Sequence, residues 1–127
     1  MSSGAIFVYG TLRRGSANRH ARLLDRSARF LGSARVQGRL YRVKWYPGIR
    51  LSGVAGEWVL GDLFRILNPL TLAELDQYEG PDEYRRVLTT AVLERGERVQ
   101  CWVYEYVGRV TEERRIVSGD WMGEDPR

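Results

Sequence analysis

The stretch RVQCWVYEYV, residues 98–107, carries apolar or aromatic side chains on both of its alternating faces. A strand half exposed to water reads apolar on one face only, so this one must be covered on both sides. YRRVLTTAVLE, residues 84–94, precedes it, and a turn through Gly96 joins the two as a hairpin. Such a strand suits a small barrel with helices packed against it. Further strands are expected at residues 5–9, at VQGRLYRV (36–43) and at VLGDLFRIL (59–67), with YPG (46–48) as the turn between the last two. A short helix is expected at NRHARLLD, residues 18–25, and a stronger one at TLAELDQYE, residues 71–79. Helices and strands do not alternate regularly, which argues against a doubly wound parallel sheet. The expected fold class is therefore α+β, a small mixed or antiparallel β-barrel with a few packed helices. At 127 residues the chain reads as a single domain, residues 1–127, with 118–127 expected as a less ordered tail.

Composition narrows the functional classes. Hydrophobic residues make up 43% and charged residues 28%, the balance of a folded chain rather than a disordered one. No apolar run is long enough to span a membrane, and the first residues lack a basic segment followed by a long apolar one. A cytoplasmic protein with no membrane partner is expected. The single cysteine, Cys101, rules out an internal disulfide and a multi-cysteine metal site, and the single histidine, His20, rules out a histidine-rich one. The formal net charge of +4 is carried almost wholly by arginine, with Lys44 the only lysine. The arginines are scattered from Arg13 to Arg127 among the acidic residues, without a block or stripe, and no RNP-type or zinc-finger pattern accompanies them. No nucleic-acid partner is expected.

The helix near residue 71 contains an oddity. Thr71 is placed to act as N-cap, with Glu74 completing a capping box and Leu70 and Leu75 forming a hydrophobic staple. Gly80 and Pro81 then stop the helix. Leu72, Leu75, Asp76 and Glu79 share one face, and its two leucines turn that face toward the core. A carboxylate at the end of such a face is out of place. Burial penalises its ionised form, and the negative end of the helix dipole adds to the penalty, so its pKa rises. A carboxyl raised in this way can exchange protons near neutral pH. The competing reading has Glu79 bending outward into water or pairing with Arg85 or Arg86.

Other catalytic constellations fall away. A Cys101–His20 pair is arithmetically available, but Cys101 sits mid-strand among aromatics and reads as a small buried hydrophobe. No G-x-S-x-G elbow exists. The opening AIFVYGTLRRGS runs a strand into a loop bracketed by Gly10 and Gly15, yet Ser16 stands where a phosphate loop needs lysine. That loop is either a tight turn with Leu12 tucked into the core or a cradle of backbone N–H groups. Arg13 and Arg14 beside it read as solvated.

In register, these segments resemble the γ-glutamylcyclotransferase-like, or AIG2-like, family. VYGTLRRG (8–15) is similar to the family's signature loop, GRLYRV and VLGDLFRI to its central strands, and YPGI to the turn between them. LDQYEG (75–80) is similar to the stretch carrying the family's catalytic glutamate, EYRR (83–86) to its Tyr-x-Arg element, CWVYEY to its late aromatic strand, and SGDW (118–121) to its tail. The resemblance implies cyclisation of a γ-glutamyl amine or γ-glutamyl amino acid to 5-oxoproline, with release of the amine and no cofactor. It also implies Glu79 as catalytic acid and base, and Tyr9, Gly10, Thr11, Leu12 and Tyr84 as substrate-binding residues. Tyr104 is a weaker candidate.

The implied chemistry is intramolecular, so the enzyme needs mainly to fold the substrate and move protons. An unperturbed glutamate lies about 3.5 pK units below an α-amino group, a mismatch of about 5 kcal/mol that a raised pKa removes. Residues 42–54, with Trp45 and Tyr46, are expected to rim the pocket or to form a surface or dimer contact. The expected partner is a small γ-glutamyl molecule, and the chain a monomer or homodimer. The alternative is a binding or regulatory module that keeps the fold and pocket without turnover.

Overall fold

The computed structural model describes residues 4–10, 12–13, 19–80 and 82–121. The chain runs through β1 (Ala5–Val8), α1 (Arg19–Ser27), β2 (Ala28–Arg42), β3 (Pro47–Leu51), β4 (Trp58–Ile66), α2 (Leu70–Glu79), β5 (Tyr84–Leu93), β6 (Arg98–Tyr106) and β7 (Arg115–Ile116). Strands β1, β4, β2, β3 and β6 neighbour one another in that order, and β6 returns to pair with β1, closing a five-stranded barrel. The β1–β6 and β3–β6 pairings are parallel, while β1–β4, β2–β4 and β2–β3 are antiparallel, so the barrel is mixed. Strand β5 extends from β6 as an antiparallel hairpin and touches β2 at Ala34 and Arg35. The α+β barrel with two packed helices is the expected fold class.

The long strand β2 makes closure possible. Residues 28–37 pair with β4 and residues 38–42 with β3, so one strand serves two neighbours by turning the barrel's corner. A bulge between Phe30 and Gly32 adds the local bend. Sequence reading begins this strand eight residues late, because ARFLGSAR follows α1 without a turn residue to announce it. The expected YPG turn is also displaced. The bend occupies residues 44–46, with the Val43 and Lys44 N–H groups donating to the Tyr46 carbonyl, and Pro47 already opens β3. Proline is tolerated at a strand's first position because no ladder hydrogen bond is lost there.

Two apolar layers result. Phe7, Val36, Ile49, Val59, Leu63, Cys101 and Val103 fill the barrel. Ile6, Val8, Leu24, Phe64, Leu75 and Tyr104 fill the layer between barrel and helices. Consecutive residues of β1 and β6 therefore enter different layers, which is why both strands read apolar on both faces. Each fully buried large side chain contributes about 1.5–3 kcal/mol relative to exposure. Burial also pushes the Cys101 thiol up to about 12, so it packs as a hydrophobe.

Helix α2 begins differently from the expected capping box. Asn68 Oδ1 accepts the Leu70 N–H at 3.0 Å, and Pro69 pre-sets the first turn. Thr71 therefore lies inside the helix, where its hydroxyl donates to Ser27 Oγ (3.2 Å) at the end of α1. Leu70 is 74% exposed, so no staple with Leu75 forms. The inward face is as expected: Leu75 is fully buried, and Leu72, Asp76 and Glu79 are half-buried. Residues 118–121 fold back on the barrel, with Leu60 N–H donating to the Gly119 carbonyl (2.8 Å) and Trp121 against the core. Pro81 and residues 122–127, part of the expected tail, lie outside the described residues.

Gly61 marks the tightest approach of β4 to β1. A Cβ there would meet the Val8 carbonyl and lie 2.7 Å from the Phe7 ring. Gly61→Ala is expected to cost about 2 kcal/mol or more through overpacking. Urea unfolding checks this; an unchanged midpoint would show that the two strands can separate freely.

Candidate active site

The two inward carboxylates of α2 end in different circumstances. Asp76 accepts a hydrogen bond from the Tyr104 hydroxyl (2.6 Å) and a forked pair from Arg86, at 2.9 Å from Nε and 3.2 Å from Nη2. Arg86 also lies over the Trp102 ring, 4.4 Å from its centroid. The Glu79 carboxyl, one turn further on, makes no hydrogen bond or ion pair with any described residue. Arg86 is committed to Asp76, and Arg85 reaches toward Glu105 at 3.8 Å. The reading that pairs Glu79 with either arginine is thus set aside. Burial, and then the nearby charge of Glu83, push the Glu79 carboxyl from 4.5 up to about 8. Glu83 is a contribution that the sequence reading did not include.

Glu79 lines a cavity of about 200 Å³. One wall is the end of β1 and the turn after it, with Tyr9, Gly10 and Leu12. The opposite side comes from α2 and the turn into β5, with Tyr78, Glu79, Glu83 and Tyr84. Trp45, Tyr46 and Pro47 supply the rim, in the segment expected to do so, and Tyr104 reaches in from β6. Four chain segments distant in sequence therefore converge here.

The opening loop is both a turn and a wall. The Arg13 N–H donates to the Gly10 carbonyl at 3.0 Å, closing a tight turn, and Leu12 is buried. Gly10 is required by contact: a Cβ on it would stand 2.7 Å from the Pro47 ring. The Leu12 N–H has no partner among the described residues. Thr11 and Arg14 lie outside them. Arg13 is not solvated as expected; its Nη1 bonds Asp120 at 2.7 Å, and its Nε lies 3.7 Å from Asp62.

The site tyrosines are occupied with the scaffold. Tyr9 donates to the Tyr104 carbonyl (2.6 Å) and accepts the Ile49 N–H (3.0 Å), tying β1 to β6 and β3. Tyr84 donates to the Pro47 carbonyl at 2.5 Å. Burial first, with neighbouring negative groups adding to it, raises both phenols well above their ordinary value. Each therefore contributes shape to the cavity while its proton stays bound. Tyr104 does the same and additionally anchors Asp76.

Sequence reasoning gave no role to Glu83 or Tyr78. A signal for Glu83 exists: it follows Glu79 by four residues across Gly80, and its N–H donates to the Gly80 carbonyl at 3.1 Å. That turn returns its carboxylate to the same cavity, where it accepts the Tyr46 hydroxyl at 2.8 and 3.0 Å. Burial and this bond push the Tyr46 phenol up to about 12.

The raised carboxyl has a thermodynamic signature. Glu79 favours the fold fully below its unfolded value near 4.5, and that contribution is lost as pH rises through about 8. The full effect approaches about 5 kcal/mol at most. Glu79→Gln cannot ionise, so its stability relative to the wild type is expected to increase between pH 5 and pH 9. Thermal unfolding of both proteins at the two pH values checks this, and a constant difference would place Glu79 in water.

Comparison with known proteins agrees with the fold and the loop motifs. The family described as gamma-glutamyl cyclotransferase, AIG2-like, matches residues 6–123. A gamma-glutamylcyclotransferase family protein of Escherichia coli K12, YtfP, is 34% identical over 94% of this chain and 97% of its own length. The gamma-glutamylaminecyclotransferase of Rattus norvegicus is 36% identical over 78% of this chain and 75% of its own. Among solved structures, a mouse AIG2-like protein superposes with a TM-score of 0.71 at 28% identity, covering 88% of this chain and 82% of its own. The fold, the converging segments and these likenesses agree that the chain belongs to the AIG2-like gamma-glutamyl cyclotransferase family.

Proposed function

We propose that the protein closes a γ-glutamyl amine or amide into 5-oxoproline and releases the amine, without a cofactor. One observation carries this reading: a half-buried Glu79 on the wall of the cavity, its carboxyl paired with no described residue and pushed up to about 8. An ordinary α-amino group also titrates near about 8, so the pK mismatch between base and substrate ammonium is largely removed.

The steps balance within one substrate. Glu79 as carboxylate takes a proton from the α-ammonium, and the freed nitrogen attacks the γ-carbonyl carbon of the same molecule. A C–N bond forms, the carbonyl oxygen becomes an oxyanion, and the nitrogen gives up its second proton as the intermediate collapses. The C–N bond to the leaving amine breaks while the Glu79 carboxylic acid protonates that nitrogen. The attacking nitrogen loses two protons in all: Glu79 carries the first to the leaving nitrogen and, as a carboxylate again, carries the second to the released amine, so the products are the lactam and the amine as its ammonium, with Glu79 back in its starting form. The backbone around Gly10 and Leu12 receives the oxyanion or the glutamyl carboxylate without placing a cation at the reacting centre.

Glu79→Gln keeps the side chain's shape and removes the proton carrier. It is expected to lower kcat/KM for 5-oxoproline formation by at least about 100-fold across γ-glutamyl amines and γ-glutamyl amino acids. The wild-type rate should rise with pH toward about 8 as Glu79 ionises. Turnover that survives the substitution would remove Glu79 from the chemistry, and absence of 5-oxoproline across the panel would leave a binding module in its place.

A further inference from the structure

The cavity holds a second carboxylate that the cyclisation does not use. Glu83 lines it together with Glu79, and no arginine, lysine or histidine side chain does so among the described residues. Lys44, next to the rim residue Trp45, stays out of the wall. Glu83 is held rather than free, since the Tyr46 hydroxyl bonds both of its oxygens. A carboxylate offers about four acceptor positions, so sites remain on it for a further donor.

The aromatic rim lies on the same side. Trp45 is 67% exposed, an uncommon state for so large an apolar surface, and stands edge-to-face with Tyr46, ring centroids 4.9 Å apart. Tyr9, on the far wall, is buried. The mouth therefore lies toward Trp45 and Tyr46, and the buried end toward Tyr9 and Leu12. A γ-glutamyl substrate with its carboxylate at the buried end extends its leaving amine past Glu83 and toward these rings. Fixed negative charge and aromatic faces together favour a cation.

We propose that Glu83, with Trp45 and Tyr46, selects γ-glutamyl derivatives of amines that carry a second positive charge, and disfavours leaving groups that end in a carboxylate. This rests on the cyclisation reading above and names its substrate class. Glu83 acts at the same time as a positioning residue, because its charge helps to raise Glu79. It takes no part in bond making.

The test uses three matched substrates: γ-glutamyl-diaminobutane, γ-glutamyl-butylamine and γ-glutamyl-aminobutyrate, which end in an ammonium, a methyl group and a carboxylate. For the wild type, kcat/KM is expected to fall at each step in that order by about tenfold, the scale of one charge-assisted hydrogen bond. In Glu83→Gln the difference between ammonium and methyl should collapse, mainly through KM, and the rising limb of the pH profile should move to lower pH. Trp45→Ala should weaken the ammonium substrate more than the methyl one. Equal turnover of all three, or a preference that survives Glu83→Gln, overturns the selectivity and leaves the cyclisation standing. If none is turned over, the cyclisation fails. Calorimetry with the same compounds on wild type and Glu83→Gln then decides the selectivity alone: tightest binding of the ammonium, lost in the variant, supports it, and equal affinities overturn it.

Discussion

The contact between Tyr104 and Asp76 joins the two parts of the molecule that matter most. Tyr104 belongs to barrel strand β6 and Asp76 to helix α2, and the bond between them is 2.6 Å long. Arg86 completes the neutralisation from the next strand, so one carboxylate on the inward face is fully satisfied. That fixes the rotation of α2 about its own axis. With Asp76 turned to Tyr104, Glu79 must face the same way one turn later, whether or not it finds a partner. This part-buried ion pair neutralises Asp76 and leaves its neighbour Glu79 with no charge partner among the described residues. The inward placing of Glu79, whose carboxyl has no partner among the described residues, is thus a geometric consequence of its partnered neighbour.

The same strand carries the second constraint. The Tyr104 carbonyl accepts the Tyr9 hydroxyl, and the Ile49 N–H donates to that hydroxyl in turn. Three strands meet at one phenol, beneath the turn that follows β1. Above it, Tyr84 bonds the Pro47 carbonyl and Gly10 packs on the Pro47 ring. The tyrosines of this region tie the walls of the cavity together through these bonds.

Much of this was legible in the sequence, for identifiable reasons. The doubly apolar strand RVQCWVYEYV announced a layer on each side, and the inward spacing of Leu72, Leu75, Asp76 and Glu79 survived in the structure. Local signals misled where a stronger neighbour competed. The Thr71 capping box lost to Asn68 and Pro69, which start the helix one residue earlier and free Thr71 to reach α1. The first part of β2 follows α1 with no turn residue between them and was invisible, and YPG lay two residues beyond the true bend. The roles of Glu83 and Arg13 depend on partners far away in sequence. The Tyr46–Glu83 and Arg13–Asp120 bonds cross 37 and 107 residues, beyond the reach of any periodicity.

The displaced bend has a further consequence. Residues 44–46 cross the mouth of the cavity between two barrel strands, and the backbone bonds that shape the bend run to the Tyr46 carbonyl, not to any side chain of the bend. Trp45 in particular is 67% exposed and meets the Tyr46 ring edge-to-face. The mouth can therefore diverge in sequence while the Asp76, Tyr104 and Tyr9 framework stays constant, because the two share no side chain. On the proposed function, substitutions at Trp45 would change which leaving group is admitted while the bonded walls around Glu79 keep their shape.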